Sequence, residues 1–199
     1  MKKLWNKMMK GIYDWCMGLV SGPYALTALI IIAFIESSFF PIPPDLLLIP
    51  LILARRTEAF KIALYTTLAS VVGGWFGYGI GWFLYDSVGV KVLDFYHYRA
   101  QFEQFCGYYN EWGSWIVFGA GLTPFPYKIV TIASGVTHLD FIVFTIASIL
   151  SRGIRFFLVA WLLYKYGAPM KAYIEKNLGW LSIVFLLLLF GGFMLIKFV

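Results

Sequence analysis

YALTALIIIAFIESSFFPIPPDLLLIPLILA, residues 24–54, decides how the rest of the chain is read. It is apolar enough for a membrane, and only Glu36 and Asp45 carry charge within it. Pro41, Pro43 and Pro44 forbid one continuous helix, because each lacks an amide donor and restricts the residue before it. Residues 24–40 rise about 25 Å as helix and residues 45–54 only about 15 Å, against an apolar core of about 30 Å. Two crossings do not fit. A re-entrant hairpin over 24–54, entering and leaving on one side, does. Its flanks agree: Lys2, Lys3, Lys7 and Lys10 precede it and Arg55, Arg56 and Lys61 follow, so both ends are expected in the cytoplasm.

Working outward, residues 2–19 read as an amphipathic interfacial helix. Leu4, Met8, Ile12, Trp15 and Leu19 share one face and Lys3, Lys7, Lys10 and Asp14 the other. Residues 60–85 make a full span, and its Gly73, Gly74, Gly77, Gly79 and Gly81 suit close backbone approach between helices. The segment 86–113, acidic and aromatic, reads as an outer interfacial stretch. Residues 114–139 form a second broken hairpin around Pro124 and Pro126, 140–164 a second span, and 178–196 a last apolar span. Lys165, Lys171 and Lys176 place the segment between these two spans in the cytoplasm, and the C-terminus is then expected outside.

Composition supports one membrane domain over 1–199. Hydrophobic residues make up 61% and charged ones 13%, about half the charge a soluble domain needs to wet its surface. The net charge of +6 does not signal nucleic acid, since the basic residues sit at the ends of apolar stretches. Cys16 and Cys106 lie far apart without metal-type spacing, and no metal or cofactor is expected.

The two hairpins are related. PIPPDLLLIP (41–50) aligns with PFPYKIVTIA (124–133), with Asp45 opposite Lys128, and LASVVGG (68–74) aligns with IASILSR (146–152). A hairpin plus span from the cytoplasm followed by a hairpin plus span from outside is an inverted repeat, a transporter design.

Five ionisable residues fall at membrane depth: Glu36, Asp45, Lys128, Arg152 and Arg155. Each costs about 2.5–3.5 kcal/mol on insertion scales, so they need a reason. Arg152 lies roughly 18 Å of helix from either end of its span, too far to snorkel comfortably. One reading is structural ion pairing between the halves. The other is a polar cavity in which Lys128, Arg152 and Arg155 hold an anionic headgroup, with Glu36 and Asp45 as proton carriers. His97 reads as an exposed interfacial residue and Asp140, beside His138, as a helix cap. Ser37 and Ser38 have no base placed beside them, so enzymatic activity is not expected.

FIESSFFPIPPDLLLIP (34–50), TPFPYKIVTIASG (123–135) and SRGIRFFLVAWLLYKYG (151–167), in that order, resemble the DedA family of SNARE-associated or VTT-domain membrane proteins, closest to its YqaA-like branch. The resemblance implies two opposed re-entrant hairpins and movement of phospholipids or polyprenyl-phosphate carriers between leaflets of a bacterial inner membrane. It matches Glu36 and Asp45 to the family's acidic pair. Of the two arginines around the second hairpin's proline, the later corresponds to Lys128. The earlier has no basic counterpart among Gly121, Leu122 and Thr123, and Arg152 and Arg155 are placed to supply that charge. The expected activity is lipid transport of the flippase or scramblase type, with protons as a second cargo and a homo-oligomer compatible with it. The competing expectations are a small-solute or ion transporter using the same cavity, and a membrane-organising factor without transport.

Overall fold

The structure, a computed structural model, describes residues 22, 24–39, 43–123 and 125–167. The interfacial helix expected over 2–19, the span expected over 178–196, Cys16, Pro41 and Pro124 lie outside the described residues. The rest is helical: α1 (Ala25–Ser38), α2 (Asp45–Ala54), α3 (Ala59–Leu84), α4 (Val90–Tyr96), α5 (Arg99–Leu122), α6 (Tyr127–Val136) and α7 (Phe141–Tyr166).

Length separates these helices into two kinds. α3 and α7, at 26 residues each, rise about 39 Å, enough to cross a bilayer. α1, α2 and α6, of 14, 10 and 10 residues, rise only about 15–21 Å and are too short. The proline breaks fall where the sequence requires. α1 ends before Pro41 and α2 starts after Pro44; α5 ends before Pro124 and α6 starts after Pro126.

The boundary read at residue 113 is not a structural break. α5 runs unbroken from Arg99 to Leu122, because nothing within it removes an amide donor; the earlier boundary followed charge composition alone. The turn from α3 to α4 is a π-helical segment, Tyr85–Gly89.

α3 is the hub, packed against α1, α6 and α7, while α5 packs on α7. Glycine makes this possible. A side chain at Gly73 would strike the Phe34 carbonyl of α1, and one at Gly81 the Ile132 carbonyl of α6. At Gly77 it would meet Thr131 of α6 and lie 3.1 Å from the Ser37 carbonyl of α1. The face is answered from the other side, where Gly135 of α6 abuts the Tyr78 carbonyl. Gly79 departs from the expectation for this series: nothing approaches its missing side chain within 4 Å.

Two apolar cores flank the polar middle. One joins α1, α2 and α7 through Leu29, Leu48, Ile52, Phe156 and Leu163; the other joins α5, α6 and α7 through Val117, Tyr127, Val130 and Phe144. The outward faces of the long helices are also apolar: Leu68, Phe76, Ile146, Leu150, Ile154 and Leu158 are all exposed. A water-soluble helix would show polar groups there. Lipid is the solvent these faces suit.

Candidate functional site

The breaks in the two hairpins deliver their polar residues to one place. α1 ends on Glu36, Ser37 and Ser38, and α6 begins with Tyr127 and Lys128. They meet directly, because the Thr131 hydroxyl of α6 donates to the Ser37 carbonyl of α1 at 3.0 Å. α7 crosses this junction and contributes Arg152 and Arg155 on one face.

Arg152 is 1% exposed. Its Nη2 donates to Glu36 Oε2 at 2.7 Å and its Nε to the Ser70 hydroxyl at 2.6 Å. The Ser37 hydroxyl is 3.4 Å from Nη2 and 2.7 Å from the Ser70 hydroxyl. Tyr127 and Phe156 place their rings 4.7 and 4.9 Å from the guanidinium carbon, so its faces are covered as well. The Tyr127 hydroxyl in turn donates to Ser148. This arginine is closed off on every side by protein.

Arg155 is placed differently. Its Nη2 pairs with Asp45 Oδ2 at 2.5 Å, and its Nη1 donates to the Thr123 carbonyl at 2.7 Å. One guanidinium thus ties the start of α2 to the end of α5, the elbows of both hairpins. The pair is more open, with side chains 18% and 26% exposed for Arg155 and Asp45. Asp45 Oδ1 is buried and has no hydrogen-bond partner among the described residues.

Lys128 is half-buried one residue into α6. Among the described residues its ammonium makes no ion pair or side-chain hydrogen bond. The five residues therefore form two ion pairs and one unpaired cation, a net charge of +1. Pro126 precedes α6 without any side-chain cap on its first amides, so the lysine and the helix N-terminus both favour an anion at this end.

Several members were not singled out by sequence. Ser70 is one helical turn before Gly73 and two before Gly77, on the α3 face that carries the close contacts, and that spacing is the signal that locates it. Tyr127 is flagged only by its neighbour Lys128. The Thr123 carbonyl, a backbone group, has no sequence signal. Away from the junction, Asp140 caps α7, its Oδ1 accepting from the Ile142 and Val143 amides at 2.9 Å each. His138 lies against Trp82 and Tyr85, its Nε2 3.7 Å from Asp86 Oδ1. His97 is exposed in the turn between α4 and α5.

The class is that of a helical membrane protein in which short helices broken at prolines and two long apolar helices enclose a charged centre. The particular family follows from comparison. The VTT domain matches residues 40–165, which include all the charged residues of the site except Glu36. An uncharacterised protein of Haemophilus influenzae is 37% identical over 181 residues, covering 89% of this chain and 94% of its own length. An uncharacterised protein of Histophilus somni is 36% identical over 182 residues, with the same coverage. The chain belongs to the VTT-domain, or DedA, family of membrane proteins. No solved structure matches it.

Proposed function

We propose that this protein is a lipid transporter of the flippase or scramblase type, moving an anionic phospholipid or polyprenyl-phosphate headgroup between the leaflets of a bacterial inner membrane. The observation that carries the reading is Lys128, half-buried at the start of α6 with no ion-pair or side-chain hydrogen-bond partner among the described residues, on the hairpin whose elbow the Arg155–Asp45 pair ties to that of the other. Membership of a family regarded as transporters agrees with it. The packing supports a shared centre: α3 carries α1 of the first hairpin and α6 of the second, while α7 carries α5 and, more lightly, α2, so each long helix holds arms of both hairpins.

Within the site the roles divide by enclosure. Arg152 and Glu36 are sealed and hold the junction together. Lys128 and Arg155 are the headgroup ligands, because both are only partly buried and because arginine matches phosphate oxygens in bidentate fashion. Asp45 competes with the phosphate for Arg155. A proton on Asp45 would free Arg155 for the phosphate, which makes Asp45 the stronger candidate of the two carboxylates for proton coupling.

The test is transbilayer movement of fluorescent phosphatidylglycerol in vesicles holding purified protein. Lys128→Ala and Arg155→Ala are each expected to slow it well below wild type. Unchanged rates in both would remove the headgroup assignment. One observation favours a second reading, a membrane-organising factor without transport: four of the five charges already satisfy one another. Wild-type vesicles with no lipid movement above protein-free controls would support it.

A further inference from the structure

We propose that each half of the protein carries its own acyl-chain groove, and that the two grooves hold the tails of the lipid whose headgroup occupies the central site. This rests on the transport reading above for the identity of the lipid, but the grooves themselves are a separate observation.

One cavity of about 660 Å³ lies between α1 and α3, walled by Ile30, Ile31, Phe34, Ile35, Tyr65, Leu68, Ala69 and Val72. A second, of about 410 Å³, lies between α5 and α7. Both fall in the range of about 300–1,000 Å³ that specific ligand pockets occupy. Ile35 apart, their walls correspond position by position. Tyr65, Leu68, Ala69 and Val72 of α3 stand at one constant offset from Val143, Ile146, Ala147 and Leu150 of α7. That register is the one in which LASVVGG aligns with IASILSR. On the hairpin arms, Ile30, Ile31 and Phe34 of α1 stand at a second constant offset from Ser114, Trp115 and Phe118 of α5.

Two surface gaps between unrelated helices have no reason to repeat seven lining positions in register. A repeated feature of both halves does. The chemistry of the walls then selects the occupant. They are apolar apart from the Tyr65 and Ser114 hydroxyls and the Trp115 indole N–H, and they lie on helices whose outer faces are largely apolar. In that setting the neighbouring phase is lipid chain, and a polar ligand would find no partners.

Along their helices both grooves run toward the level of the charged centre. Glu36 directly follows Ile35 of the first groove, and Ser70, which receives Arg152, is turned inward between Ala69 and Val72. In the second, Leu150 stands two residues before Arg152, and the end of α5 beyond Phe118 supplies the Thr123 carbonyl that holds Arg155. A lipid with its phosphate at Lys128 and Arg155 would therefore have an apolar channel on either side. If the halves are inverted, the two channels serve opposite leaflets.

The experiment uses the full chain in vesicles of phosphatidylethanolamine and phosphatidylglycerol, with a trace of phosphatidylglycerol carrying a photoactivatable diazirine on its acyl chain. Cross-links are mapped by mass spectrometry. Labelling is expected to concentrate at Ile31 and Phe34 and at Trp115 and Phe118, above Leu158 and Trp161, which are exposed on α7 outside both grooves. Leu68→Trp, at an exposed groove edge, is expected to lose most labelling of the first groove and keep the second. Ile146→Trp is expected to do the reverse, and the retained groove in each variant reports that the protein is folded. Equal labelling at Leu158 and Trp161, meaning annular lipid only, would overturn the proposal. So would labelling confined to one half, or loss of both grooves in either variant. Groove labelling in wild type without lipid transport would sink the transport reading and leave the grooves. Transport with annular labelling would do the opposite.

Discussion

Replacing Arg152 by methionine should destabilise the protein severely, and relieving its partner should recover much of the loss. The side chain is 1% exposed and its Glu36 partner 13%, so this is a buried pair. Removing one member of such a pair leaves an uncompensated charge and costs about 3–5 kcal/mol, whereas replacing both by apolar or neutral groups is often close to neutral. Arg152→Met also abandons the Ser70 and Ser37 hydroxyls. Those two hydroxyls can still bond to each other at their present 2.7 Å, which limits that part of the cost. For a chain of this size, 3–5 kcal/mol corresponds to a fall in Tm of roughly 6–20 °C.

The assay is tryptophan fluorescence during thermal unfolding in detergent micelles, comparing wild type, Arg152→Met, Glu36→Gln and the double variant. The double variant should be at least as stable as Arg152→Met alone, giving a large favourable coupling. Losses in both single variants under about 1 kcal/mol would place the pair with ordinary surface salt bridges and refute its enclosure. Strict additivity would refute the contact itself. Arg155→Met provides the internal contrast. Its pair with Asp45 is more open, so the cost should be smaller, about 1–3 kcal/mol.

Gly81→Ala and Gly135→Ala should each force α3 and α6 apart, costing about 1–3 kcal/mol in the same unfolding assay. Gly79→Ala, with open space around it, should be neutral or stabilising by up to about 1 kcal/mol. Asp140→Ala removes the α7 cap and should cost about 1 kcal/mol, with Asp140→Asn retaining most of it. Ser70→Ala leaves the Arg152 Nε without its acceptor and should cost about 1–3 kcal/mol; unchanged stability would mean another group accepts that proton.

What could be read from the sequence was what depends on short-range constraint. Proline removes an amide donor wherever it stands, so the breaks near residues 41–44 and 124–126 follow from the chain alone. Apolar length fixed which helices are long enough to cross, and insertion cost marked Glu36, Asp45, Lys128, Arg152 and Arg155 as residues needing a reason. The alignment of 68–74 with 146–152 was also visible, although its consequence, a matched pair of grooves, appears only where α1 and α5 lie against those segments.

Pairing was not legible, because it depends on distances between helices far apart in the chain. Nothing local says that Arg152 takes Glu36 while Arg155 takes Asp45, or that Lys128 takes neither. The same holds for enclosure. All five charges read alike as residue types, yet Tyr127 and Phe156 close over Arg152, whereas Arg155 is held by a backbone carbonyl and stays partly open. Glycine shows the same limit. Five glycines in one span announced close packing, but only the approach of α1 and α6 decided that Gly73, Gly77 and Gly81 are used for it and Gly79 is not. The sequence determined by itself that the helices break and that charge is buried at the breaks, since both follow from covalent geometry and solvation. Which charge faces which was decided only by the tertiary structure, because an ion pair's strength depends on separation and burial, and the folded packing alone sets those.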